Sequence, residues 1–181
     1  RSKKSKLDNE DQLVLFNEFD EKIANVFKKF TKLHSFYILR DKEFLNWRYM
    51  NSPKGKFYFI GLKRDNNITA IVVVKSEKIF KNEALIVLDF AFSHDVKDLQ
   101  KLISNFHSIV IKNYTVTPNF ILLSGLSPFM VDIIKCGFIS VPKFLIPRKL
   151  KLLARLTGRS LQIDYKNYLF WLITLGDWDV F

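Results

Sequence analysis

Asp89 interrupts an apolar run, Leu85 to Phe92, and His94 follows just past its end. A carboxylate and an imidazole at the end of one strand are residue types that take a proton from an amine nucleophile. Asp89 either faces a cleft, where it would do that work, or points outward at a sheet edge. His94 either acts as a base or stands in solvent at a helix start. Glu83, at the head of the same run, reads as a solvated carboxylate. Trp47, Arg48 and Tyr49 form a second cluster. In one reading Trp47 and Tyr49 line a substrate groove. In the other, Trp47 and Phe44 pack on a sheet while Arg48 pairs with Asp41 or Glu43. Ser124-Gly125-Leu126-Ser127 follows a strand and opens a helix. Its hydroxyls and the next amides either hold an oxyanion or cap the helix. Cys136 falls at a helix C-terminus, where a thiol pKa rises, and reads as a buried structural residue.

Other chemistries lack their residues. His34, His94, His107 and the single cysteine have no metal-ligand spacing. There is no Gly-x-Ser-x-Gly elbow, phosphate-binding P-loop or dinucleotide fingerprint.

The elements that must carry these residues follow from periodicity. Asn9 to Lys32 reads as a helix: Leu13, Phe16, Phe19, Ile23, Val26, Phe27 and Phe30 recur mostly at three- and four-residue steps, and Asn9 and Asp11 stand at its start as caps. Arg40 to Met50 reads as a short helix stopped by Pro53-Lys54-Gly55. Strands are expected at about 57–62, 68–75 and 84–92. Asp65-Asn66-Asn67 joins the first two as a hairpin. Asp95 to Lys112 has the best helical stripe, with Asp95 as cap and Asp98 three residues on in a box-like arrangement. Pro118 opens a strand over 119–124. Pro128 begins a helix that Gly137 ends. Phe138 starts an extended piece, and Tyr168 to Leu175 is a last strand before the Gly176-Asp177 turn. Hairpins in the first half predict antiparallel pairing. Alternating strands and helices in the second half predict parallel pairing. The expected fold class is α/β, a mixed, mostly antiparallel sheet with helices on both faces.

A chain of 181 residues suits a single domain, expected over 9–181, behind a basic arm at 1–8. The start lacks an initiator Met and an apolar stretch behind its lysines. It reads as no signal peptide, and as the C-terminal part of a longer or processed protein. No apolar run reaches the roughly 18 residues that span a bilayer. A lone cysteine suits a reducing, cytoplasmic setting. The net charge of +11 favours anionic partners. From Lys135 to Gln162 there are seven basic residues and no acidic ones, and residues 143–159 read as a basic amphipathic segment, either a surface for an acidic carrier, lipid or nucleic acid, or a solvated connection. Its charges lack interleaved aromatics, which argues against nucleic acid.

Arg40-Asp-Lys-Glu-Phe-Leu-Asn-Trp-Arg-Tyr49, Ile134-Lys-Cys-Gly-Phe138 and Phe170-Trp-Leu-Ile-Thr-Leu-Gly-Asp-Trp-Asp179 carry a resemblance. Together with the element order they resemble the GNAT N-acyltransferase superfamily. The likeness is to the C-terminal unit of bacterial GNAT-like proteins in which a Trp-Arg-Tyr helix precedes the hairpin. It covers about residues 10–181. It implies transfer of an acyl group from a thioester, acetyl-CoA or another acyl-CoA or an acyl carrier protein, to an amine. It also implies that the cofactor pyrophosphate sits at the start of the long helix, at Phe92, Ser93 and Val96, with the cofactor arm near Ser124, Gly125 and Leu126. The sequence departs from the family twice. Phe92-Ser93-His94-Asp95-Val96 contains no glycine, and Asp95 would cap the amides that hold phosphate. Ile133 stands where the family often has a general-acid tyrosine. The second expectation is therefore a non-catalytic GNAT-like domain that supports an upstream GNAT-like unit or binds an anionic partner.

Overall fold

The computed structural model describes residues 6–53, 57–79, 81–114, 117–140, 167 and 170–177. The basic segment at 143–159 and most of the arm lie outside them.

The chain opens with a strand. Gln12–Phe16 forms β1, paired antiparallel with β3 (Phe57–Arg64) so that Phe16 lies opposite Phe59. The single helix expected over 9–32 is thus corrected to a strand followed by a shorter helix, α1 (Glu21–Thr31). Leu13, Val14, Leu15 and Phe16 are consecutive apolar residues, which suit a strand as well as a helical stripe, and sheet pairing decides. Asp20 caps α1 by accepting the Ile23 amide at 2.9 Å. Asp11 instead binds Arg64 and Lys101.

After β2 (Phe36–Tyr37) comes α2 (Lys42–Leu45), capped by Asp41, which accepts the Phe44 amide at 2.8 Å. It runs on into a wider, π-helical turn, Asn46–Met50. β3 and β4 (Asn67–Ile79) form the expected hairpin. Asp65 and Asn66 take positive φ of 47° and 62°, the backbone that two-residue hairpin turns require. β5 (Asn82–Phe92) pairs antiparallel with β4, and the register shifts at Leu88, the extra residue of a β5 bulge between Val87 and Asp89, opposite Val74 and Val73. α3 spans Val96–Tyr114. Asp95 accepts the Lys97 amide at 2.9 Å, but Asp98 is no box partner; its carboxylate takes Arg64 at 2.8 Å.

β6 (Phe120–Leu123) pairs parallel with β5, over Ala84–Val87. β7 (Gly125–Leu126) continues it into a second sheet, followed by α4 (Met130–Ile134), which begins later than expected. Gly137 follows α4 at φ 105°, a conformation that ends it. Phe138 to Ser140 belong to no strand. β8 (Trp171–Thr174) and a 3₁₀ turn, Leu175–Asp177, close the described chain. The large sheet has order β1-β3-β4-β5-β6 and the small one β2-β8-β7.

Neighbouring residues on a strand point to opposite faces. Tyr58 meets Tyr114 of α3, whereas Phe59 meets Phe19 and Tyr49. Helices therefore cover both faces of the sheet, as expected. Phe27, Phe30, Phe90 and Phe106 are among the side chains fully sealed between these layers.

Candidate functional site

Asp89 sits at the β5 bulge with no exposed surface, and Arg40 meets it there, equally buried. Arg40 Nε donates to Asp89 Oδ2 at 2.6 Å, Nη2 to Asp177 Oδ2 at 2.7 Å and to Thr174 Oγ1 at 3.1 Å, and Nη1 to the Ile38 carbonyl at 2.9 Å. Tyr49 Oη donates to Asp89 Oδ2 at 3.1 Å. Asp89 Oδ1 accepts the Phe90 amide at 3.0 Å. This corrects both readings of Asp89: it faces neither an open cleft nor the outside of the sheet. A carboxylate at a buried strand position must find a cation, and Arg40 is that cation.

The electrostatics follow from burial. Desolvation opposes the Arg40 charge, but Asp89 and Asp177 outweigh it and hold the guanidinium firmly protonated. Burial raises the Asp89 pKa, with Asp177 adding to the rise and Arg40 opposing it. Burial and the neighbouring Asp89 push the Tyr49 phenol well up. The network ties β5 to the approach to α2 and to the end of β8.

Trp47 and Tyr49 separate. The turn that carries both aims Tyr49 inward, where it is buried, and leaves Trp47 65% exposed beside Phe44. Arg48 Nε donates to the Gly176 carbonyl at 2.7 Å, a partner different from Asp41 or Glu43.

His94 is exposed and apart from Asp89, so the two candidate proton acceptors do not share a site. It lies instead on the wall of a groove of about 420 Å³. Lys22, Asn25 and Lys29 of α1, the β3–β4 turn at Asn66 and Asn67, and Ser93 also line it. Ser93 is engaged: its amide donates to the Thr69 carbonyl at 2.9 Å and its hydroxyl contacts the same oxygen at 3.4 Å. Phe92 is buried on Phe30 and Phe129, at ring-centroid distances of 5.1 and 4.9 Å. It is a core residue and does not face a ligand. Val96 begins α3, and Asp95 already takes one of the amides there.

Contrary to the expectation above, Ser124, Gly125 and Leu126 do not open a helix. Gly125 and Leu126 pair with Thr174 and Ile173 of β8, and Ser124 is exposed. Sequence reading named Ser127 behind them but missed its partner, His34. Ser127 is buried 3.2 Å from His34 Nε2, and His34 Nδ1 lies 3.2 Å from the Phe30 carbonyl. Burial, helped by the Arg40 charge, lowers the His34 pKa and keeps the ring neutral. Cys136 is half-buried, its thiol 3.6 Å from the Gln100 and Asp132 carbonyls; burial raises its pKa, as expected for a structural thiol.

A second concavity, a cleft of about 660 Å³, lies against the paired strands β2 and β8. Phe36 and Trp171 stack across the two strands at 4.6 Å, and Asp177 also lines the cleft. Among the described residues no group of three or more His, Cys, Asp or Glu could hold a metal, and no helix is long and apolar enough to cross a membrane.

No family model and no curated protein matches this sequence. Solved structures do. The chain is similar to a GNAT family acetyltransferase of Staphylococcus aureus, with a TM-score of 0.53 and 17% identity over 79% of this chain and 98% of that one. It is similar to an aminoglycoside acetyltransferase from an uncultured soil metagenomic sample, solved with trehalose, with a TM-score of 0.53 and 13% identity over 82% of this chain and 98% of that one. The chain has a GNAT-like fold.

Proposed function

We propose that the domain transfers an acyl group from a CoA or carrier-protein thioester to an amine. The observation that carries this reading is the groove at the end of β5. Lys22, Lys29 and Arg64 outnumber Asp65 in its lining and give it a basic character, and it lies beside the start of α3, where the resemblance to GNAT proteins implies the cofactor phosphates. From Ser93 back to Asp89 is four residues of strand, about 13 Å. A thioester arm laid along β5 from the groove would cover that distance toward the bulge. The amine nitrogen then attacks the thioester carbonyl, the C–N bond forms and the C–S bond breaks, and the proton lost from nitrogen passes to the departing sulfur, which leaves as the thiol. His94 contacts phosphate in this reading, and Asp89 orders the site through Arg40 without taking the proton.

A second reading rests on specific contacts. Asp95 occupies an amide at the α3 start, Asp89 occupies the Phe90 amide, and Phe30 and Phe129 pack on Phe92 where β5 has run past its pairing with β6. These contacts take up groups a cofactor would use, and they favour a GNAT-like domain that supports an upstream catalytic unit.

Calorimetry with acetyl-CoA and longer acyl-CoAs, at low and then higher salt, separates the two. Micromolar binding that weakens with salt supports transfer and leads to acceptor screening. Absence of binding to any acyl-CoA, and to acyl carrier protein, overturns it in favour of the supporting role.

A further inference from the structure

Asp177 is held unevenly. Its Oδ2 accepts from Arg40 Nη2 at 2.7 Å, from the Thr174 amide at 2.8 Å and from the Thr174 hydroxyl at 3.4 Å. Its Oδ1 is buried and has no hydrogen-bond partner among the described residues, and the whole side chain is 4% exposed. An unpaired buried carboxylate oxygen is costly, because it has lost water and gained no donor. Asp177 also lines the cleft against the paired strands β2 and β8. The rest of that lining is mostly apolar: the stacked Phe36 and Trp171 rings, Ile38 and Ile173.

We infer that this cleft binds an amine carried on a flat, apolar body, with its ammonium on Asp177 Oδ1 and its body against the Phe36–Trp171 pair. A cationic donor makes a shorter and stronger hydrogen bond to a carboxylate than a neutral donor does. Apolar walls exclude water, which strengthens the ion pair and selects an apolar ligand body over a polyhydroxylated one. Aromatic faces also attract the cation itself. Oδ1 is sealed from solvent, so binding requires a rotation of the Asp177 carboxyl or of a side chain at the cleft. The inference deepens the acyl-transfer reading and rests on it for its biological sense, because an amine held here is the acceptor that transfer needs.

The test uses 2-phenylethylamine against the near-isosteric neutral 2-phenylethanol, titrated into the protein with no acyl donor present. The readouts are the NMR signals of residues 35–38 and 171–174 and the indole N–H of Trp171. Wild type is expected to bind the amine about tenfold or more tighter than the alcohol, the worth of one charge-assisted hydrogen bond. Asp177→Asn is expected to remove that preference. Ile38→Arg, which leaves the Arg40 network side chains intact, is expected to weaken the amine more than the alcohol and covers the case in which Asp177→Asn fails to fold. Equal binding of the two probes, binding of neither, or an amine preference that survives Ile38→Arg or a folded Asp177→Asn overturns the inference. Amine binding without acyl-CoA turnover would leave this site standing while the transfer reading falls. Turnover with no amine preference would do the reverse.

Discussion

Arg40 Nε lies 2.6 Å from Asp89 Oδ2, and neither side chain has any exposed surface. The same guanidinium reaches Asp177, 137 residues further along the chain. One buried cation thus fastens β5 to the end of β8. Removing it leaves carboxylates unpaired inside the protein. Arg40→Ala is expected to lower stability by about 3–5 kcal/mol. Chemical denaturation of wild type and variant, with circular dichroism as the probe, measures it. A loss under about 1 kcal/mol would mean the pair is not buried in solution.

Tyr49→Phe keeps the ring packed on Phe19 and Phe59 and removes the hydroxyl that donates to Asp89. The expected loss is about 1.5–3 kcal/mol, the range for a hydrogen bond to a charged group. In the Arg40→Ala background the same change should differ in its effect, since both partners act on Asp89. Additive losses in a double-mutant cycle would contradict the network.

Two groups give stability a pH dependence on the acid side. Burial lowers the folded-state pKa of His34 below its ordinary 6.5. Its contribution is complete above pH 6.5 and is lost as pH falls toward the folded value, because the unfolded chain takes up the proton first. Asp11 has a folded pKa lowered to about 2 from 3.8. Burial alone would raise it, and the bonds from Lys101 and Arg64 overcome that. Its contribution holds above 3.8 and is lost as pH falls through about 2. His34→Gln should flatten the slope of stability below pH 6.5, and Asp11→Asn should flatten it only below about pH 4. Thermal melts across pH measure both.

The basic groove predicts a salt-sensitive donor site. Lys22→Glu with Lys29→Glu reverses two charges on the exposed face of α1. Acyl-CoA affinity is expected to fall about tenfold or more at low salt, with a smaller difference at higher ionic strength. Unchanged affinity in calorimetry would place the donor elsewhere.

Gly125 tests the small sheet. A Cβ there would overlap the Ile173 carbonyl oxygen, a backbone atom that cannot turn aside. Gly125→Ala is expected to cost about 1–3 kcal/mol and to loosen β7 from β8. Hydrogen exchange at residues 171–174 reports that loosening.

Much of the fold was legible locally. Asp65-Asn66 between apolar runs specifies a tight hairpin because those side chains tolerate positive φ. The long stripe from Val96 to Val110 specifies α3, since only a helix brings it to one face. The first strand was not legible, because Leu13 to Phe16 satisfies a helical stripe and a strand alike, and pairing with β3 decides between them. The site was half legible. A lone Asp inside an apolar strand announces that a cation must exist, but nothing local says which one. Arg40 stood within the quoted motif, and Asp177 within the terminal turn, without any sign that they meet.

By itself, then, the sequence determined the elements whose signals lie within a few residues, the hairpin, the long helix and its cap at Asp95, because hydrogen bonding and apolar periodicity act at that range. Tertiary structure alone decided which charges face each other, that Trp47 and Tyr49 part company, and where the two concavities open. Those outcomes depend on distances between residues far apart in the chain, set only when β5, the approach to α2 and β8 pack together around Arg40.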